Sequence, residues 1–188
     1  MSSRLHIEPI GEEEQLIQQV SSEDCALVAT FASAKRRREA LAWRAALYRL
    51  IGTTVQTSYD EWGAPTIVGS RLHIGVSHSR THVAVILSEE PCAVDIESLD
   101  RDFSKAFERY LTPSEQALST DMCYPAVAWC AKEALYKLHR RGIDDITREL
   151  SIIEADLTNG RLRGSIKGSA PIDILVRKVE GHIVATIG

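Results

Sequence analysis

The sequence predicts an α+β fold. Three observations carry this: one long helical segment in the first third, short β-branched runs in the middle, and four short apolar runs at the end separated by glycine-containing turns. The resulting order of helix, hairpin, helices and meander lacks the regular strand–helix alternation of a doubly wound parallel sheet.

Up to about position 34 the chain alternates polar and apolar residues without a clear period. "ASAKRRREALAWRAALYRLIG" then reads as a helix, with Ser33 as its cap and Gly52 as its stop. Its opening is densely basic and its body largely apolar, which predicts burial. "HVAVIL" and "CAVDIE" are strand-like and flank a polar "SEEP" break, so we expect them to pair as a hairpin. "LTPSEQALS" carries a helix start, with Thr112 at the cap, Pro113 at the first helical position and Glu115 three residues past the cap. "PAVAWCAKEALYKLHRRG" continues in helical character from Pro125 to a stop at Gly142. "LSIIEADL", "RLRGSI", "DILVRKV" and "HIVATI" follow as strands joined by Asn-Gly, Gly-Ser and Glu-Gly turns.

With 188 residues, 44% of them hydrophobic and 26% charged, the chain can bury a full core, as one domain or as two small halves. A net charge of −4 supplies no overall attraction to nucleic acid or to a lipid surface. No early segment reads as a secretory signal and no apolar run approaches membrane-spanning length, so we expect a cytoplasmic protein. Cys25, Cys92, Cys123 and Cys130 show no C-x-x-C spacing and read as reduced, mostly buried small hydrophobes.

Four stretches could carry chemistry. In "AVDIE", strand alternation puts Asp95 and Glu97 on one face and Val94 and Ile96 on the other, toward the core. Paired carboxylates repel unless a cation sits between them, although a solvent-facing strand end would look the same. In "WCAKEALYK", Glu133 and Lys137 share a helix face, the spacing of an ordinary surface ion pair, with Trp129 and Lys132 beginning adjacent stripes. "GVSHS" sets His78 between Ser77 and Ser79, where the ring could donate to a phosphate; adjacency in sequence does not give a nucleophilic triad. "KRRRE" opens the first helix, and Arg37 and Arg44 lie two turns apart on one side, suited to phosphate oxygens. Each pattern alone also fits a solvated or structural role. Together they supply carboxylates and cations that need one common ligand, a magnesium ion with a polyphosphate.

These stretches, "GVSHSRTHVAVIL", "AVDIES" and "WCAKEALYK", resemble the 4′-phosphopantetheinyl transferases, and in particular the longer, surfactin-synthetase-activating type, over roughly residues 35–140. The resemblance implies two similar α/β halves related by a pseudo-twofold axis, here 1–88 and 89–188, with the active-site cleft between them. It implies Mg²⁺ held by Asp95, Glu97 and Glu133, with Glu133 and Lys137 as catalytic residues. Arg37, Arg44, Ser77, His78, Lys132 and Lys137 would bind coenzyme A, the co-substrate, with Arg36 or Arg38 as alternatives for the 3′-phosphate. The implied reaction moves the phosphopantetheine arm to a serine of an apo carrier protein (acyl, polyketide or peptidyl), releasing 3′,5′-ADP. The base would be Glu133 or a metal-bound water.

The chain departs from the family pattern where Ala93 replaces a glycine, Cys130 a serine, and Gly63-Ala64-Pro65 a Gly-Lys-Pro stretch. No carboxylate is lost. We expect a monomer, and expect Arg101, Lys105 and Arg109 to dock the acidic carrier if "RDFSKAFERY" is helical. The alternative function is a non-catalytic module of the same fold that binds coenzyme A or a carrier protein. A different magnesium-dependent phosphotransferase would need a phosphate-binding glycine loop, and the G-x-x-x-x-G-K-[ST] pattern is missing.

Overall fold

The structure is a computed structural model that describes residues 3–139 and 142–188. The chain divides into two compact units, Met1–Pro91 and Cys92–Gly188. No helix among the described residues is long and apolar enough to cross a membrane.

The first unit contains β1 (Arg4–Pro9), α1 (Glu13–Ile17), α2 (Ser22–Ala29), α3 (Ala34–Ile51), β2 (Thr57–Tyr59), β3 (Pro65–Ile67), β4 (His73–His78) and β5 (His82–Ser88). α3 forms where predicted: the Ser33 hydroxyl accepts from the Arg36 amide and Gly52 closes the helix at φ +88°, a left-handed conformation natural to glycine. Every residue from Glu39 to Tyr48 is buried. A helix buried all round needs cover on several sides, and α3 packs against α1, α2, β1 and β5.

The hairpin expected between "HVAVIL" and "CAVDIE" does not form. β5 has only two edges, and β1 and β4 take both in an antiparallel order β1-β5-β4. The β4–β5 turn is made by Ser79, whose hydroxyl accepts from the amides of Thr81 and His82 at 3.2 and 3.0 Å. The second serine of "GVSHS" is therefore a turn residue. β1, α1 and α2 fall in the segment that shows no clear period; α1 spans five residues and α2 eight, too short to establish one.

The second unit contains β6 (Ala93–Ser98), a 3₁₀ turn (Ser104–Arg109), α4 (Pro113–Gln116), α5 (Tyr124–His139), α6 (Ile146–Glu149), β7 (Leu150–Asp156), β8 (Arg161–Ile166), β9 (Ile172–Val179) and β10 (His182–Ile187). Its sheet is antiparallel throughout, in the order β6-β10-β9-β8-β7. The predicted meander is thus present, and its last strand accepts β6 as a fifth member. α5 lies on one sheet face, burying Ala126, Val127, Cys130, Ala131, Ala134 and Leu135 against Ile152, Leu162, Ile174 and Ile183. Small residues let the helix approach closely. The Arg140-Arg141 end of the predicted helix lies outside the described residues.

The "RDFSKAFERY" segment is not an α-helix. With about three residues per turn, its 3₁₀ geometry breaks the step of four that would align Lys105 and Arg109, and Arg101 precedes it. The expected docking strip is not formed.

Gly164 marks how tightly α5 is seated. A β-carbon there would lie 2.7 Å from Leu135 Cδ1 and 2.9 Å from the Ser151 carbonyl. Gly164→Ala is expected to destabilise the protein by about 1 to 3 kcal/mol through overpacking, measured by denaturant unfolding.

Candidate active site

β6 and α5 build the site within the second unit. Asp95 pairs opposite Ala185 and Glu97 opposite Ile183, and both of those β10 residues belong to the core under α5. Opposed residues share a face of the sheet, so the two carboxylates lie on the face that α5 covers. Val94 and Ile96 are buried on the other face. The alternation is as predicted, but both faces are interior at this strand, and Asp95 is only 4% exposed.

α5 presents Trp129, Glu133 and Lys137 at successive steps of four residues, hence along one side. Lys137 Nζ reaches across to β6, donating to Asp95 Oδ1 at 2.7 Å and to the Val94 carbonyl at 3.4 Å. It sits in the last turn of α5, where the negative end of the helix dipole favours a cation. Trp129 Nε1 donates to Glu97 Oε1 at 2.7 Å. Arg101, just past β6, donates through Nη1 to both Glu97 oxygens at 3.1 and 3.3 Å. Its guanidinium lies 4.7 Å from the Phe103 ring centre and 5.4 Å from that of Trp129. Next to this clamp, a cavity of about 260 Å³ is lined by Arg101, Asp102, Phe103, Arg109, Tyr110 and Trp129.

The three carboxylates feel one another. Burial, and then the charge of Asp95, push Glu133 above the usual carboxylate range, while Lys137 and Arg101 pull it back. Burial and Asp95 likewise raise Glu97 against the opposing hydrogen bonds from Trp129 and Arg101. Three formal negative charges thus face two positive ones, a surplus that a bound cation would relieve. Among the described residues, however, no group of three or more His, Cys, Asp or Glu side chains is arranged to hold a metal ion by itself. The expected three-carboxylate ligand set is therefore not closed; remaining ligands would have to come from phosphate oxygens and water, the habitual coordination of Mg²⁺. Cys130, fully buried beneath the site, has its thiol pushed up by burial and by Asp95, and donates to the Ile183 carbonyl at 3.5 Å.

Lys132 does not face this site, contrary to its assignment to the coenzyme. Its side chain is fully buried, with Nζ 2.8 Å from Glu115 Oε1 and 2.6 Å from the Tyr110 carbonyl. Glu115 also accepts from the Thr112 amide at 2.7 Å and the Ile152 amide at 2.8 Å. The predicted capping box at Thr112 is present, and its glutamate doubles as the lysine's counter-ion.

Arg44 is likewise withdrawn from the coenzyme. It is 0% exposed, with Nε 2.9 Å from Asp24 Oδ1 and its guanidinium 4.1 Å from the Trp43 ring centre. Arg37 Nε is 2.8 Å from Glu13 Oε1, and its Nη1 donates to the Phe31 carbonyl at 3.1 Å. Arg38 pairs with Glu12 at 3.2 Å, and Arg36 is exposed. The basic run is largely neutralised by α1.

Ser77 and His78 point to opposite faces of their sheet. Ser77 is buried opposite Ala84, whereas His78 is exposed, with Nδ1 3.4 Å from Glu39 Oε1. One strand cannot turn both side chains to the same phosphate. The sequence reading missed the grip of Trp129 and Arg101 on Glu97; the available signal was the step of four through Trp129, Glu133 and Lys137.

The family model described as 4′-phosphopantetheinyl transferase superfamily (ACPS) matches residues 91–187, a little over half of the chain. The chain belongs to this superfamily. A crystal structure of a holo-(acyl-carrier-protein) synthase from Bacillus anthracis str. Ames, in complex with CoA (3′,5′-ADP), is similar over 45% of this chain and 91% of that one, at 15% identity and a TM-score of 0.36. That likeness is too slight to add to the family assignment. No curated protein matches.

Lys132→Met would strand the Glu115 carboxylate in the interior. A loss of about 3 to 5 kcal/mol is expected, with Glu115→Gln/Lys132→Met less destabilised than Lys132→Met alone in denaturant titrations. Glu133 holds its proton more tightly folded than unfolded, so its charge costs stability above the carboxylate range and that cost is relieved as pH falls through its raised folded value. Glu133→Gln should therefore melt above the wild type at pH 7, with the difference shrinking on acidification.

Proposed function

We propose that this protein transfers the 4′-phosphopantetheine arm of coenzyme A to a serine hydroxyl of an apo carrier protein, as an enzyme of the surfactin-synthetase-activating type working in the cytoplasm. The observation that carries the reading is the convergence of Asp95, Glu97 and Glu133 with Lys137 and Arg101 in the unit that the superfamily model matches. The subtype reading is supported by a separate unit, Met1–Pro91, ahead of that matched region.

Asp95 and Glu97, with Glu133 beside them, would hold Mg²⁺, and the surplus negative charge in their surroundings fits that role. When bound, the ion would neutralise charge on the coenzyme's pyrophosphate. Glu133 would take the proton from the serine as its oxygen bonds to the β-phosphorus. The bond from that phosphorus to 3′,5′-ADP then breaks, and Lys137 would donate to the oxygen that gains charge on the leaving group. His78, exposed at the end of β4, would contact the coenzyme's phosphates. The carrier would be of acyl, polyketide or peptidyl type.

Incubation with Mg²⁺, coenzyme A and a panel of apo carrier proteins should add the phosphopantetheine mass to at least one carrier, read by intact-mass spectrometry. Glu133→Gln should lower the rate by about 10² to 10⁴-fold, the usual contribution of a positioned base. No mass gain on any carrier overturns the transferase reading.

A further inference from the structure

The two carboxylates of β6 already hold cations that belong to the chain. Lys137 sits on Asp95 at 2.7 Å, and Arg101 sits on Glu97 at 3.1 and 3.3 Å. The two differ in how they are held. Lys137 projects from α5 and is mostly covered, at 22% side-chain exposure, whereas Arg101 follows β6 and is 54% exposed. Arg101 rests against the faces of Phe103 and Trp129, which supports its guanidinium on the apolar side and leaves its outer edge open. The same two residues and Arg101 line the adjoining cavity of about 260 Å³.

We propose that Arg101 is an exchangeable counter-ion of Glu97, occupying the carboxylate until a divalent cation arrives with a diphosphate ligand, and then transferring its hydrogen bonds to the phosphate oxygens. This rests on the functional reading above. A guanidinium and a metal ion compete for the same lone pairs of Glu97, so the chain's own cation lowers the affinity of the empty site for metal. Trp129 is neutral and donates to Oε1 alone, so it orients Glu97 without adding a competing charge. Once displaced, Arg101 has a planar fork suited to two phosphate oxygens. Metal and diphosphate therefore bind with mutual reinforcement: the ligand offers Arg101 a second anion, and the metal replaces it on the first. The arginine is thereby a residue of ligand specificity, favouring a metal–diphosphate complex over either component alone.

The test measures Mn²⁺ binding to the full chain by electron paramagnetic resonance, with and without coenzyme A, in wild type, Arg101→Met, Arg101→Gln and Arg101→Lys. Without coenzyme, the Met and Gln variants should bind Mn²⁺ on the order of tenfold more tightly than wild type, with Arg101→Lys close to wild type. Coenzyme A should tighten Mn²⁺ binding to wild type, and this enhancement should largely vanish in Arg101→Met. Two neutral replacements guard against a folding defect in either, checked by cooperative thermal unfolding. Equal Mn²⁺ affinity in wild type and both neutral variants overturns the exchange while leaving the transferase reading standing. Absence of Mn²⁺ binding in every protein, with coenzyme present, overturns the metal site and the exchange together.

Discussion

The buried pair between Lys132 and Glu115 fixes where the site can be. An ammonium and a carboxylate in the interior are tolerable only when their remaining hydrogen bonds are met, and here they are. The lysine also donates to the Tyr110 carbonyl, and the carboxylate receives the amides of Thr112 and Ile152. One pair therefore joins α5, the start of α4, the chain before it and β7. Burial pulls the lysine below its ordinary range and Glu115 opposes that pull. Because Glu133 is the next residue in the same helix, the rotation set by Lys132 is also the rotation of Glu133. The side of α5 that carries Trp129, Glu133 and Lys137 is turned toward β6 as a consequence.

A second constraint is the concentration of negative charge. Asp95 is packed into the core face of the sheet, where its charge raises both neighbouring carboxylates. The fold offsets this with Lys137 at the end of a helix and with Arg101 backed by two aromatic rings. It does not cancel it. The site is held in a state that a ligand of opposite sign improves, which is a common cost of carrying a binding site on a folded scaffold.

Much of this was legible in the sequence because the relevant signals are local. Ser33 and Gly52 bound α3, Thr112 and Glu115 form the capping box, and strand alternation puts Asp95 and Glu97 on one face. What was not legible depends on pairing at a distance. Arg44 and Lys132 read as ligand-binding cations because nothing nearby in sequence reveals Asp24 and Glu115 as their partners, 20 and 17 residues away. The neighbour of β5 is hidden for the same reason: β1, which begins at Arg4, takes that edge from far away in the sequence. Arg101 stands four residues past Glu97, a spacing that suggests helix, yet it reaches back across a turn after a strand.

Asp95, Glu97, Arg101, Glu115, Trp129, Lys132, Glu133 and Lys137 all fall within Cys92–Gly188. The carboxylates and cations of the candidate site and the scaffold that aims them thus lie in one block of chain. Drift in Met1–Pro91 removes none of the side chains that make these contacts. Drift at Glu115 has no such freedom, although it touches none of the three carboxylates: losing it would detune the helix from a position whose sequence context is that of an ordinary capping box.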